Sequence, residues 1–321
     1  VILGFKDPHV LQLERSAPTP TNEAFTATMQ VLASLGYDGV SSDISNAFGQ
    51  ALRTTRKTKL CSTLPPGMRE AGFDVDDRQL LMAETEVYGL ISGPSWLRQS
   101  LVADFEKMGY RRNPYDKCIM TLPSKTSNFI DGIVLIEVDD ILEGGSSVHR
   151  QHMDGFYTRW KCGKCKKLRD TGNEGTLTSG VRVIQHKDHS FTWHMQEYVD
   201  NKLSLIEAPR GFMTNTKELD ETWLNKVVSS NGQIGWIGSN GRPDAAAGHS
   251  IIAGEYKNKS PQLITLCNQV VKQCKGTVVK HRIWPIAPKD IRLVAFVDSS
   301  FDPKGERHQQ GWLIGYTNPF L

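Results

Sequence analysis

An apolar segment that ends in two adjacent aspartates places the strongest constraint on the fold of this chain. The residues GIVLIEVDDILEGG start at Gly132, and Asp139 and Asp140 directly follow the apolar stretch. Such a run, closed by glycines, is typical of a buried strand that reaches a hairpin tip. Two carboxylates about 4 Å apart repel by roughly 4 kcal/mol at an effective dielectric near 20, so they need a proton or a cation. The segment predicts a divalent-metal site, and a chance dipeptide is the alternative.

A second aspartate pair has a different context. Asp76 and Asp77 lie in the polar stretch FDVDDRQ, which is typical of a solvated turn. Only the first pair is approached by a buried strand. The two pairs are therefore interpreted differently, although they are the same dipeptide.

Composition sets the broad class. A length of 321 residues with 39% hydrophobic content predicts two to three domains with real cores. The net charge of +3 does not by itself identify a nucleic-acid-binding protein. No apolar run approaches 18 residues and no signal-peptide pattern is present, so we expect an intracellular protein without membrane contact. Because the chain begins at Val1 rather than Met, we expect a fragment of a longer polypeptide.

Two local features leave alternatives open. The six cysteines are too sparse for a disulfide framework and are expected to be reduced thiols. Cys162 and Cys165 nevertheless have the spacing of metal ligands, and His149 and His152 lie upstream of them. A zinc site is therefore a minor alternative. Two basic blocks are each either a solvated surface or a phosphate-binding track. The blocks are Arg53, Arg56, Lys57 and Lys59, and Lys161, Lys164, Lys166, Lys167 and Arg169.

Hydrophobic periodicity predicts alternating helices and strands. The predicted helices are one that is capped by Thr21 or Asn22 and ended by Gly36, then Ser95–Met108, Ser147–Trp160, Gln196–Leu205 and Pro261–Cys274. The predicted strands are one carrying Asp43, then Lys117–Leu122, Phe129–Val138, the hairpin of Val181–His186 with Ser190–His194, and a last strand around Asp298 that pairs with GWLIGYTN. The basic, cysteine-containing segment after Trp160 is predicted to be a loop.

Seven motifs in a fixed order resemble the reverse transcriptase region of copia-type LTR retrotransposon polyproteins. Each motif is short, but their order spans nearly the whole chain. The motifs are SDISNAF, VYGLISGPSW, EVDDILEGG, HKDHSFTWHMQEYVDNKL, GQIGWIGSNGRPDAAAGHS, VVKQCKGT and AFVDSSFD.

This resemblance implies an α+β fold of the polymerase fingers-palm-thumb type, with an antiparallel palm sheet. Four segments are expected along the chain. They are partial fingers and palm (1–145), the end of the palm and a thumb-like region (146–210), a connection segment (211–290) and a truncated RNase H-like start (291–321).

The resemblance also implies a function: an RNA-directed DNA polymerase that uses two Mg²⁺ ions, with Mn²⁺ as the alternative. Asp43, Asp139 and Asp140 match the metal-binding catalytic aspartates. Phe48 matches the aromatic residue that excludes a 2′-hydroxyl, and Ser92 stands at a nucleotide- or template-contacting position. The implied partners are an RNA or DNA template with its primer and dNTPs, in a cytoplasmic particle or the nucleus. Asp298 matches the first carboxylate of RNase H, whose other acidic residues the segment lacks.

Two residues depart from the family pattern. Glu137 occupies the place of an aromatic residue, and it points to the same strand face as Asp139, which adds negative charge near the metals. Ser92 replaces a glutamine. The alternative hypothesis is therefore a catalytically decayed or repurposed relic that still binds nucleic acid through its basic segments.

Overall fold

The chain has a mixed α/β architecture with antiparallel sheets, which is compatible with the α+β class. The computed structural model describes Gly4, Asp7 and residues 9–56, 59–76, 78–300 and 309–319. Asp77 and Lys57, which belong to the second aspartate pair and the first basic block, lie outside the described residues. The chain divides into two compact units. The first comprises the residues up to Thr28 and Val40–Lys166, and the second comprises Met29–Gly39 and the residues from Lys167 onward.

The first half of the chain contributes four helices and eight strands among the described residues. In chain order these are α1 (Asn22–Leu35), β1 (Gly39–Ile44), α2 (Ala47–Gln50), β2 (Cys61–Thr63), β3 (Leu80–Met82), α3 (Gly93–Lys107), β4 (Arg111–Arg112), β5 (Ile119–Pro123), β6 (Ile130–Glu137), β7 (Asp140–Gly145), α4 (Ser147–Arg159) and β8 (Cys162–Lys167). Thr21 caps α1, since its side-chain oxygen accepts a hydrogen bond from the Ala24 N–H at 3.1 Å.

A six-stranded sheet organises the first unit, in the order β4-β5-β6-β7-β1-β8. Helix α3 turns Leu97, Leu101 and Phe105 inward, because residues four apart share one helix face. These side chains form one core with apolar residues of the sheet and of α4, and Phe105 stacks on Phe156 at 4.6 Å between ring centroids. Burying each large side chain of this core contributes roughly 1.5–3 kcal/mol.

Most predicted elements of the first unit are confirmed. The predicted strand Phe129–Val138 is β6, and the predicted helix Ser147–Trp160 is α4. The loop predicted after Trp160 is wrong. Cys162–Lys167 forms strand β8 at the sheet edge, because pairing with β1 supplies hydrogen bonds that no local periodicity in this polar segment announces.

The second unit contains a small sheet and a group of helices. Its elements are β9 (Thr176–Thr178), β10 (Val181–Gln185), β11 (Phe191–His194), α5 (Gln196–Lys202), α6 (Phe212–Asn215), α7 (Glu221–Asn240), α8 (Pro243–Gly254), α9 (Gln262–Gly276), β12 (His281–Ile283), β13 (Arg292–Ser300) and β14 (Gln309–Thr317). The sheet runs in the order β12-β11-β10-β9, and β13 pairs with β14 in a separate two-stranded sheet. The predicted hairpin is confirmed as β10 and β11.

Within the described ranges, no helix combines the length and the apolar character that are needed to cross a membrane.

Candidate active site

The six-stranded sheet brings together aspartates that are far apart in the sequence. Strand β1 lies beside β7, and the Ile44 N–H donates to the Asp139 carbonyl oxygen at 2.9 Å. Asp43 immediately precedes Ile44, and Asp140 is the first residue of β7. The three predicted catalytic residues therefore lie at one end of two neighbouring strands.

A tight turn presents the aspartate pair. Glu137 and Asp140 are paired across β6 and β7, so Val138 and Asp139 alone make the connection. Val138 has a φ of 56°, a left-handed conformation that β-branched residues avoid. A backbone held in such a region costs on the order of 1–3 kcal/mol and is concentrated at functional sites. The turn holds Asp139 next to β1, and the strained backbone at Val138 is the energetic cost of that position.

The carboxylates repel one another. Partial burial of its carboxyl group, followed by the negative charges of Asp139, Asp43 and Glu137, raises the pKa of Asp140 to about 6. Glu137 Oε2 is buried without a hydrogen-bond partner among the described residues. In the same part of the chain, no lysine, arginine or histidine forms an ion pair with any of these four carboxylates. The cluster carries uncompensated negative charge.

These residues fit a hard divalent cation by their chemistry. Carboxylate oxygens are the donors that Mg²⁺ prefers, and Mg²⁺ keeps waters and substrate phosphates as its remaining ligands, so few protein ligands suffice. Glu137 Oε2, which has no hydrogen-bond partner among the described residues, is a further possible oxygen ligand beside the aspartates. The described side chains do not converge into a preformed site with three or more His, Cys, Asp or Glu ligands. The carboxylate ligands thus lie on neighbouring strands, but in the described residues they do not converge on one cation position.

Strand β8 passes close to Asp43. A Cβ atom added to Gly163 would lie 2.6 Å from Ser45 Oγ and 3.5 Å from Asp43 Oδ2, so a larger residue would crowd the site. The Ser45 N–H donates to the Lys161 carbonyl oxygen at 3.0 Å, which fixes the start of β8 against the end of β1. Lys164 and Lys166 are exposed along this edge. A basic sheet edge therefore borders the acidic cluster.

Phe48 lies on α2, the short helix that follows Asp43 and β1. Its ring is half-buried and makes an edge contact with the exposed ring of Tyr88, with centroids 5.9 Å apart. A Cβ added to Gly93 would lie 3.2 Å from Phe48 Cε1, so the glycine lets the ring sit close to the backbone of α3. Phe48 is thus not enclosed in the core, and its predicted contact with the sugar remains a prediction.

Ser92 lies inside a polar network that sequence analysis did not predict. The residue is buried, and its hydroxyl donates to Glu86 Oε2 at 2.5 Å and accepts from Arg56 Nη2 at 2.6 Å. Arg56 also donates to Asp7 Oδ2 at 2.6 Å. Burial alone would raise the pKa of Glu86, but hydrogen bonds from Arg56, Ser92 and Thr54 lower it. A substrate-binding role for Ser92 stays a prediction, and it would require this network to open.

The first basic block does not act as a unit. Both expectations for it, a solvated surface and a phosphate track, are wrong for Arg56, whose side chain is 8% exposed and paired with Asp7 and Glu86. Arg53 is 83% exposed and lies 3.4 Å from Glu84. Sequence spacing could not separate the two arginines, because their acidic partners come from distant segments.

The cysteine pair lacks one of its two proposed upstream ligands, His149. Both ring nitrogens of His149 are occupied, Nε2 by Glu143 at 2.6 Å and Nδ1 by the Tyr110 hydroxyl at 2.7 Å. Burial, and then the neighbouring Cys165, raises the pKa of the Cys162 thiol to about 11, which disfavours the thiolate that binds zinc. The minor zinc alternative thus loses one of its candidate ligands.

Asp298 belongs to the second unit, whereas Asp43, Asp139 and Asp140 belong to the first. It lies on β13 opposite Gly311, is exposed, and its Oδ1 accepts a hydrogen bond from the Ser299 N–H at 2.9 Å. This geometry does not test the predicted role of Asp298 as an RNase H carboxylate, which stays a prediction.

Glu143 was not predicted from the sequence, and His149 was named only as a candidate zinc ligand; both side chains are completely buried. The signal that could have revealed Glu143 is its place in the apolar strand that follows the aspartate pair, where alternation puts it on the same inward face as Ile141. A charge at a buried strand position requires partners, and those partners could not be named from the sequence.

No protein-family model and no curated protein matches this chain. The resemblance to reverse transcriptases therefore rests on the seven sequence motifs.

Proposed function

We propose that this chain is the reverse transcriptase region of a copia-type retrotransposon, an RNA-directed DNA polymerase with a fingers-palm-thumb fold. The observation that carries the proposal is the juxtaposition of Asp43 with Asp139 and Asp140 at one end of β1 and β7, which a chance dipeptide does not require. The substrates are a primed RNA or DNA template and dNTPs. The boundaries at 145, 210 and 290 belong to the same proposal.

Asp43, Asp139 and Asp140 would hold the divalent ions. Bound Mg²⁺ would lower the pKa of the primer 3′-hydroxyl and stabilise negative charge on the α-phosphate and the pyrophosphate leaving group. The chain's own part is to fix three carboxylates at one end of two neighbouring strands. Phe48, on the helix after Asp43, would lie under the sugar and disfavour ribonucleotides.

The test is dNTP incorporation on a primed RNA template by the purified protein with Mg²⁺ or Mn²⁺. We expect Asp139→Asn to reduce incorporation to background, because the substitution removes a charged ligand but keeps the shape of the side chain. Asp131→Asn, which removes a carboxylate from the opposite end of β6, serves as the control and should retain activity. Equal incorporation by wild type and Asp139→Asn would refute the polymerase proposal.

A second candidate is a relic that binds nucleic acid without catalysis. One observation favours it: Glu137 adds a fourth negative charge to those of the three aspartates. The exposed lysines of β8 would then contact phosphates. Tight primer-template binding with no extension in either metal would support the relic over the polymerase.

A further inference from the structure

A buried polar network lies behind the acidic cluster, on the other face of the same strands. Glu143 of β7 and His149 of α4 are both fully buried, and a buried carboxylate is costly unless charged and polar groups satisfy it. His149 Nε2 lies 2.6 Å from Glu143 Oε2, and Arg150 donates to both carboxylate oxygens at 2.9 and 3.0 Å. The carboxylate is therefore held by two side chains from the first turn of α4.

The position of the His149 ring depends on two glycines. Gly132 and Gly145 face each other across β6 and β7, and a Cβ atom on either would approach the His149 side chain to less than 3 Å. Only glycine at both positions leaves room for the ring. The Tyr110 hydroxyl completes this side of the network through His149 Nδ1.

One hydroxyl of the network reaches the strand that carries Asp43. The Tyr157 hydroxyl lies 3.2 Å from Glu143 Oε1 and 3.2 Å from Ser42 Oγ. With its single proton it donates one of these hydrogen bonds, and as an acceptor it can take the other from the Ser42 hydroxyl. Ser42 is buried and directly precedes Asp43, and successive strand residues point to opposite faces. Tyr157 thus joins β1 to β7 on the inner face, directly behind the strands that present the carboxylates on the outer face.

We infer that Tyr157 is a positioning residue, which holds β1 against β7 so that Asp43 stays in reach of the cations bound by Asp139 and Asp140. The bound cation in this inference comes from the proposed function. The contacts of Tyr157 with Ser42 and Glu143 do not depend on that function. Strands β1 and β7 are neighbours with repelling carboxylates at their ends, so an attachment on the inner face opposes their separation. Without the Tyr157 hydroxyl, cations would be bound less tightly before any chemistry begins.

The test compares two tyrosines of the same network. Tyr157→Phe removes the hydroxyl that reaches Ser42, and Tyr110→Phe removes a buried hydroxyl that contacts only His149 among the described hydrogen bonds. We expect Tyr157→Phe to raise the Mg²⁺ concentration for half-maximal dNTP incorporation about fivefold, which corresponds to one net hydrogen bond. Tyr110→Phe should stay within about twofold of wild type. Ser42→Ala should reproduce the Tyr157→Phe effect, and Ser42→Thr, which keeps a hydroxyl, should restore the wild-type value.

A second measurement separates this inference from the polymerase proposal. The rise in melting temperature caused by Mn²⁺ reports cation binding without catalysis. We expect Tyr157→Phe to shift this response to about fivefold higher Mn²⁺, again the equivalent of one hydrogen bond, and Tyr110→Phe to leave it in place. If wild type binds Mn²⁺ but does not extend primers, the polymerase proposal fails, and the positioning role stands provided that only Tyr157→Phe shifts the Mn²⁺ response. Equal effects of the two tyrosine substitutions, or no effect of either, would overturn the positioning role, since a merely structural hydroxyl lowers stability without changing cation affinity.

Discussion

The Arg242 cluster of the second unit and the aspartate cluster of the first unit differ in how their charges are balanced. Arg242 is 1% exposed, and it donates to both carboxylate oxygens of Asp244, at 2.9 and 2.8 Å. Its remaining donors reach the Cys274 and Thr277 carbonyl oxygens and the Thr277 hydroxyl, at 2.8 to 3.0 Å. Among the described residues, Asp43, Asp139, Asp140 and Glu137 have no such counterpart.

The difference separates a structural use of charge from a functional one. The hydrogen bonds from Arg242, as the largest contribution, lower the pKa of Asp244, whereas burial and like charges raise that of Asp140 to about 6. The hydrogen bonds from Arg242 stabilise the folded chain when Asp244 is ionised. The repulsion among the carboxylates destabilises the folded chain when Asp140 is ionised, until a cation binds or a proton is taken up. Removing a charge should therefore have opposite consequences in the two clusters.

The largest expected effect is on the Arg242 side. Arg242→Ala leaves Asp244 and two carbonyl oxygens without their donor, so the free energy of unfolding should fall by about 3–5 kcal/mol. Denaturant unfolding of the purified protein measures the change. Arg210→Ala, at an exposed arginine of the same unit, is the control and should change stability by less than about 0.5 kcal/mol. A small loss at Arg242 would remove the distinction between the two clusters.

Neutralising the aspartate cluster should raise stability. The folded-state pKa of Asp140 lies above its ordinary value of 3.8, so its ionised form costs free energy at pH 7. That cost begins to fall as the pH drops through about 6 and is lost below about 3.8. Because the residue is exposed and solvent screens its charge, we expect Asp140→Asn to gain only about 1 kcal/mol at pH 7 without metal, and nothing near pH 4. Unfolding at both pH values tests this. Asp154→Asn, at an exposed aspartate of α4, is the control and should not raise stability at pH 7. A loss of stability in Asp140→Asn at pH 7 would contradict the repulsion.

The smallest expected effect concerns backbone strain. Glycine accepts the φ of 56° at Val138 without a Cβ penalty, but it loses more chain entropy on folding, so Val138→Gly should stabilise the protein by about 0.5 kcal/mol net. Arg242 has a φ of −130°, which lies outside the left-handed region. Thermal unfolding is the measurement. Ser179→Gly, at a φ of 50° without a branched Cβ, should gain less, and a destabilised Val138→Gly would show that the turn is not strained.

Local pattern predicted much of the first unit. The apolar run before Asp139 predicted β6, hydrophobic periodicity predicted a helix over Ser95–Met108 where α3 lies, and the aspartate pair was placed correctly at a hairpin tip. These features depend on residues within one or two turns or along one strand, so a window of the sequence contains the necessary information.

Pairing between distant segments escaped prediction. Strand β8 was expected to be a loop, because its lysines and glycine lack any apolar alternation and it forms only by pairing with β1. Arg56 and Arg242 look like ordinary surface arginines, yet each is buried among acceptors from other segments. Helices α7 and α8 were not predicted either, since their glycines weaken the helical pattern and packing against each other and α9 overrides that propensity.

The amino-acid sequence by itself determined which residues could do chemistry: two adjacent carboxylates after a buried strand, a lone aspartate on an earlier strand, and an aromatic residue five positions later. Only the tertiary structure decided that Asp43 lies beside Asp139, that no described cation balances them, and that Glu143 and Tyr157 join their strands from behind. The physical reason is that strand order and the burial of charge follow from the summed packing of the whole unit. Local periodicity sets the face on which a side chain lies, but not which distant side chain will meet it.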